Sequence, residues 1–183
     1  MKYIPGENIF EKFREQRKAL ILLLRNGDIT KKEYIEESYI YLKQMDIKPF
    51  KIVDNFEKAV YNYQYYNIMA KHSNLQAKEI RKYGKHEEKY KEFLEKVRYY
   101  YHKKNKITLK AIELLDFYNV EAYYIKVKSD KLKNKLFEII FYDYDDVVFH
   151  SKSKWLADKL KQEGIFKDEV KHSIVSSYVN EKY

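Results

Sequence analysis

The stretch Asn55–Tyr83 contains neither glycine nor proline, and along it Phe56, Ala59, Tyr63, Tyr66, Ala70, Ser73, Ala77 and Ile80 follow one another at steps of three and four. That spacing is the period of a helix, so the chain is predicted to form one long uninterrupted helix here, with Gly84 as its left-handed exit. The recurring residues make a continuous edge. The small ones among them, at 59, 70, 73 and 77, let a neighbouring backbone come close. An edge of this length must be covered, and the remaining segments are expected to be arranged around it.

With 183 residues the chain is long enough to bury a core without staples, and one domain over 1–183 is the expectation, with a helical part at 1–118 and a mixed part at 119–183. Cysteine is absent, which removes disulfides, thiolate nucleophiles and cysteine metal sites, and suits a reducing, cytoplasmic setting. Met1–Glu7 lacks the basic-then-apolar pattern of a secretion signal, and the longest strongly apolar run, Ala19–Leu24, falls far short of the roughly 20 residues that cross a bilayer. No membrane partner is expected. The formal charge of +9 draws attention to nucleic acid, but only Arg14, Arg17, Arg25, Arg81 and Arg98 carry the planar fork that grips phosphate bidentately. The richness in Lys, Tyr, Ile and Asn is also what an A/U-rich coding composition produces.

In chain order, a first helix is predicted over Asn8–Arg25, with Phe10, Phe13, Arg17, Leu20 and Leu24 on one face and Gly27 as exit. Thr30 and Glu33 then write a capping box, flanked by Ile29 and Tyr34 in staple positions, so a second helix starts at Lys31 and stops before Pro49. So short a turn folds the two helices back as an antiparallel pair. This hairpin, Leu24-Arg25-Asn26-Gly27-Asp28-Ile29-Thr30-Lys31-Lys32-Glu33-Tyr34, resembles the core of SHOCT-type modules, small two-helix units appended to other domains. The resemblance covers that hairpin alone. It implies oligomerisation or nucleic-acid binding and transfers no functional residue.

Beyond the long helix, a fourth helix is predicted at Glu87–Lys103 with Tyr90, Phe93, Val97 and Tyr100 inward, and a short fifth at Leu109–Phe117, capped by Thr108 and ended by Asn119. Period-two alternation follows in Val120–Lys128 and Leu136–Asp143, with a third short strand at Val147–His150. Two closing helices are read at Lys154–Glu163 and Asp168–Glu181. The expected class is therefore α+β and mostly helical: about five N-terminal helices in antiparallel hairpins, a three-stranded antiparallel meander near 120–150, and two C-terminal helices.

Three constellations carry candidate chemistry. Lys78, Arg81, Lys82, Lys85, Lys89, Arg98, Lys103, Lys104 and Lys106 are interleaved with tyrosines, a pattern that tracks a phosphate backbone while stacking on bases. The alternative reading is a solvated face, with Lys103, Lys104 and Lys106 offsetting a helix dipole at its C-terminus. His150-Ser151-Lys152-Ser153-Lys154 offers hydroxyls and ammonium groups at a helix start, a place that favours an anion, or else simply holds a capping serine. Asp143, Asp145 and Asp146, close to His150, form a carboxylate cluster of the kind that holds a divalent cation, although aspartates are also ordinary turn residues. No paired-histidine zinc motif, nucleophile elbow or glycine-rich cradle is present, so no cofactor is implied. Three classes of function fit these features. First comes a non-enzymatic interaction protein, self-associating or binding another protein through helix faces or a sheet edge. Second is a nucleic-acid binder using 78–106. Third is a metal- or phosphate-dependent hydrolase near 143–154.

Overall fold

The computed structural model describes residues 9–84, 86–114, 123–130, 135–143 and 146–162, with backbone alone over the first two strands and the first half of the third. The described chain is mostly helical, in the order α1 (Ile9–Asn26), α2 (Lys31–Gln44), α3 (Phe56–Tyr83), α4 (Glu87–Leu114), β1 (Tyr123–Asp130), β2 (Lys135–Asp143), β3 (Asp146–Ser151) and α5 (Lys154–Gln162). None of these helices is long and apolar enough to cross a membrane. Two compact units emerge. The first joins the described residues up to Lys51 with Gln64–Lys103, and the second joins Ile52–Tyr63 with the described residues from Lys104 onward.

Local signals set the helix ends of the first unit. At the end of α1, Gly27 takes φ of 82°, its amide donates to the carbonyl of Leu24, and the amide of Asp28 donates to that of Leu23. This Schellman closure uses the one residue type that enters the left-handed region without steric cost. At the start of α2 the Glu33 amide donates to Thr30 Oγ1 at 3.2 Å and the Thr30 amide to Glu33 Oε2 at 2.7 Å. These bonds stabilise the carboxylate and hold the Glu33 carboxyl below its ordinary range. Contacts between Tyr41 and Lys12, and between Ser38 or Tyr34 and Arg17, advance in opposite directions along the two helices, so α1 and α2 are antiparallel.

Helix α2 stops before Pro49, as expected, with Met45 as its C-cap. The amide of Asp46 donates to the carbonyl of Lys43, and that of Ile47 to Leu42, another Schellman closure, but here the left-handed residue is Asp46 at φ of 48°. Ile47 turns inward and is buried. The core of this unit is Phe13, Leu20, Tyr34, Leu42, Ile47, Ile68, Met69, Ala70 and Ala77. Helix α3 reaches α2 through a parallel stack of Tyr39 on His72, with centroids 3.6 Å apart, and a Lys32–Glu79 ion pair at 2.7 Å.

The long helix is continuous, with Asn55 as N-cap accepting a bond from the Lys58 amide at 2.9 Å, and Gly84 at φ of 68° as exit. Ala59, Tyr63, Ala70, Ser73 and Ala77 of the predicted edge are buried. Burial is wider than an edge, however, because Tyr61, Asn62, Asn67, Ile68 and Met69 are buried too.

In the second unit, Ala59 and Tyr63 of α3 pack with Ala111 and Ile112 of α4, Phe149 of β3, and Leu156, Ala157 and Leu160 of α5. The Phe149 ring meets those of Tyr63 and Phe56 edge-on, at 4.7 Å and 5.9 Å. The strands pair antiparallel in the order β1-β2-β3, with Ile125 opposite Phe141, Val127 opposite Ile139, and Phe141 opposite Phe149.

One expectation needs correction. The predicted break between Lys103 and Leu109 does not occur, and α4 runs unbroken from Glu87 to Leu114. Nothing from Lys104 to Thr108 forces a stop, and Thr108 is interior: its hydroxyl donates back to the carbonyl of Lys104 at 3.0 Å. Thr108 is therefore no cap. Phe117, Asn119, Gly164 and the helix predicted at 168–181 lie outside the described residues.

Two stability changes follow. Asp46→Gly relieves a left-handed side chain and loses only the exposed pair with Lys48, so it is expected to stabilise the protein by up to about 1 kcal/mol in urea melts. Tyr63→Phe removes the hydroxyl that binds both backbone atoms of His150, and a loss of about 1–3 kcal/mol is expected in the same assay.

Candidate functional site

The strand-to-helix passage at 150–154 is tied into the second unit by polar side chains. Tyr63 Oη accepts from the His150 amide at 2.8 Å and donates to the His150 carbonyl at 3.2 Å. The same carbonyl accepts from Lys104 Nζ at 2.9 Å, and that ammonium lies 5.6 Å from the centre of the Tyr63 ring. Ser151 is buried, donates to Asn105 Oδ1 at 2.9 Å and accepts from the Ser153 amide at 3.1 Å. Ser153 Oγ accepts from the Leu156 amide at 3.3 Å and caps α5. Both hydroxyls of the candidate anion site are thus engaged within the chain, while His150, Lys152 and Lys154 are exposed.

For the carboxylate cluster, the register sets Asp143 opposite Asp146 across β2 and β3, and Asp145 lies outside the described residues. Among the described residues no three His, Cys, Asp or Glu groups gather as a metal site.

The basic set divides. Lys78, Arg81, Lys82, Lys89, Arg98 and Lys106 are exposed, Lys103 is half-buried, and Lys85 lies outside the described residues. Lys104 is only 6 % exposed, so it belongs to the interior of the second unit and not to a solvated face. It also stands ten residues before the end of α4 at Leu114, so neither it nor Lys103 and Lys106 offsets a helix C-terminus. Its neighbours explain why: Lys104, Thr108, Ala111 and Ile112 recur at helical spacing and are all buried.

In the first unit, lysines lie against aromatic rings. Lys82 is 5.9 Å from the Tyr83 ring centre, Lys96 is 4.9 Å from Phe93, and Lys103 is 5.6 Å from Tyr99. Tyr65, Tyr66, Tyr99 and Tyr100 form a chain of ring contacts at 5.2–6.5 Å. Burial raises the phenol pKa of Tyr65, Tyr66, Tyr100 and Tyr101.

The most unusual electrostatics in the first unit surround Arg17. This side chain is 6 % exposed and, among the described residues, donates only to neutral acceptors: Ser38 Oγ at 2.6 Å, Tyr34 Oη at 2.5 Å and Gln64 Oε1 at 3.4 Å. Its Nε is buried without an acceptor among the described residues. The guanidinium carbon lies 5.0 Å from the Tyr34 ring centre, and Lys71 Nζ lies 5.6 Å from the same centre. Burial, then the charges of Arg17 and Lys31, push Lys71 down to about 8. Arg17 was visible in the sequence as a charge on an apolar stripe, whereas nothing near Lys71 in the chain marked it as a neighbour.

The alkaline pH profile follows from these shifts. Between about pH 8 and its ordinary value of 10.5, Lys71 is neutral when folded and protonated when unfolded, so stability rises with pH. The raised tyrosines act in the opposite sense: above their ordinary value of 10.0 the unfolded phenols ionise first and stability falls. Denaturation between pH 7 and 11 is expected to show a gain above 8 that is missing in Lys71→Met, and a decline above 10 in both proteins.

No curated protein and no solved structure matches the chain. One family model matches it over residues 3–183, nearly its whole length. The chain therefore belongs to the family of unknown function DUF6648.

Proposed function

We propose that this is a non-enzymatic interaction protein, and that it pairs with a second copy of itself through the N-terminal half of α4. The observation that carries the reading is the burial pattern of that helix: none of residues 87–103 is buried, although Tyr90, Phe93, Leu94, Val97, Tyr100 and Tyr101 line up at helical spacing and are half-covered. A helix of this length draws its stability from packing more than from propensity, so an aromatic stripe left half-wet favours a further contact.

Charge selects the occupant. Glu87, Glu88, Glu92 and Glu95 make the first part of the segment acidic in excess over Lys89 and Lys91, whereas Lys96, Arg98 and Lys103 make the rest wholly basic. Two copies laid antiparallel about a two-fold axis between Glu95 and Lys96 set each acidic part against the partner's basic part, as an isologous contact requires. The ion pairs already within the helix, Glu87–Lys91 and Glu92–Lys96, are exposed and weak, so they do not oppose such an exchange. A single helix pair is a small interface by the standard of stable complexes, roughly 800 Å² per partner, so the dimer is expected in the micromolar range.

The second reading, single-stranded nucleic acid, is favoured by the exposed Tyr83 and Tyr99, each with a lysine over its ring. Sedimentation equilibrium separates the two. A concentration-dependent dimer that weakens at least tenfold in Lys96→Glu/Arg98→Glu supports self-association. A monomer at all concentrations, with oligonucleotide binding that weakens as salt rises, replaces it with the second reading.

A further inference from the structure

A buried arginine ordinarily faces a carboxylate, because the penalty for taking a cation out of water is several kcal/mol and neutral acceptors offset only part of it. Arg17 has no such partner among the described residues, and Lys71, beside the same tyrosine ring, has no ion pair there either. Two cations thus converge on Tyr34 from α1 and α3, with the hydroxyls of Tyr34 and Ser38 bonded to one of them and one guanidinium N–H left over. The convergence of like charges and the unbonded buried N–H are costly in an empty site. Together they are what a doubly charged oxyanion needs: two positive charges, a spare N–H donor and the hydroxyl hydrogen of Tyr34, while Ser38 donates its own to the Tyr34 carbonyl at 2.6 Å and holds the arginine in place.

We propose that Arg17 and Lys71, with Tyr34 and Ser38, form a binding site for a phosphate or phosphoryl group within the α1–α2–α3 unit. The site is separate from the α4 surface argued above, and neither depends on the other. Arg17 is the fixed ligand, held by its bonds to Ser38 and Tyr34; Lys71 supplies the second charge and, being only partly buried, the side from which the anion enters.

The probe is inorganic phosphate, titrated at constant ionic strength against chloride, with methyl phosphate in a parallel arm. Thermal unfolding is followed together with the Arg17 Nε–Hε cross-peak in a ¹H–¹⁵N spectrum. Phosphate strengthens folded states generally by exclusion from protein surfaces, so the decisive comparison is with Lys71→Met, which keeps every Arg17 bond and is expected to fold. A saturable rise in melting temperature, with a matching shift of the Arg17 signal, both lost or weakened more than tenfold in Lys71→Met, supports the site. Saturation by phosphate alone indicates the free ion as ligand, and saturation by both probes indicates a phosphoryl group on a larger molecule. An unsaturable rise of equal size in the two proteins, or an Arg17 signal that does not move, overturns it.

Discussion

The second half of α4 is the anchor on which much of this structure depends. Lys104, Asn105, Thr108, Ala111 and Ile112 are buried, and each polar member of the group meets a bond inside the protein: Lys104 at the His150 carbonyl, Asn105 at Ser151, Thr108 at its own helix. A lysine ammonium removed from water must find acceptors, and here it finds a backbone carbonyl and the face of a tyrosine ring. Fixing that half makes extension of the helix toward its N-terminus inexpensive, since the nucleation cost has already been met. The first half can then stand with no fully buried residue and remain helical.

Much of the helical framework was legible because its determinants are local. Thr30 with Glu33, Gly27 and Gly84 act on atoms within four residues of themselves, so their chemistry could be read directly from the chain. Thr108 misled for a related reason. A threonine hydroxyl binds a free amide at a helix start or a carbonyl one turn back inside a helix, and only the conformation of the preceding residues decides between them. Asp46 was illegible in another way, because a left-handed aspartate exit competes with glycine and leaves no mark as plain as the proline three residues on.

The candidate sites were less legible, since they depend on contacts between distant residues. Lys104 looked like its solvated neighbours, and its burial follows from His150 and Tyr63, which lie far away in sequence. Ser151 and Ser153 carried the right groups for an anion, but Asn105 and the start of α5 engage them. Arg17 and Lys71 meet only because α1 and α3 both pack on Tyr34, an arrangement that no spacing within either helix encodes. What remains exposed, the stripe and split charge of residues 87–103, was present in the sequence from the start, but its incomplete burial was not.

Native-state amide hydrogen exchange along α4 tests the central claim most directly. The account predicts helical protection without interruption from Tyr90 to Leu114, strongest over 104–112 and weaker over 90–103. Rapid exchange at 105–109, marking two helices, or stronger protection in the first half than in the second, would contradict it.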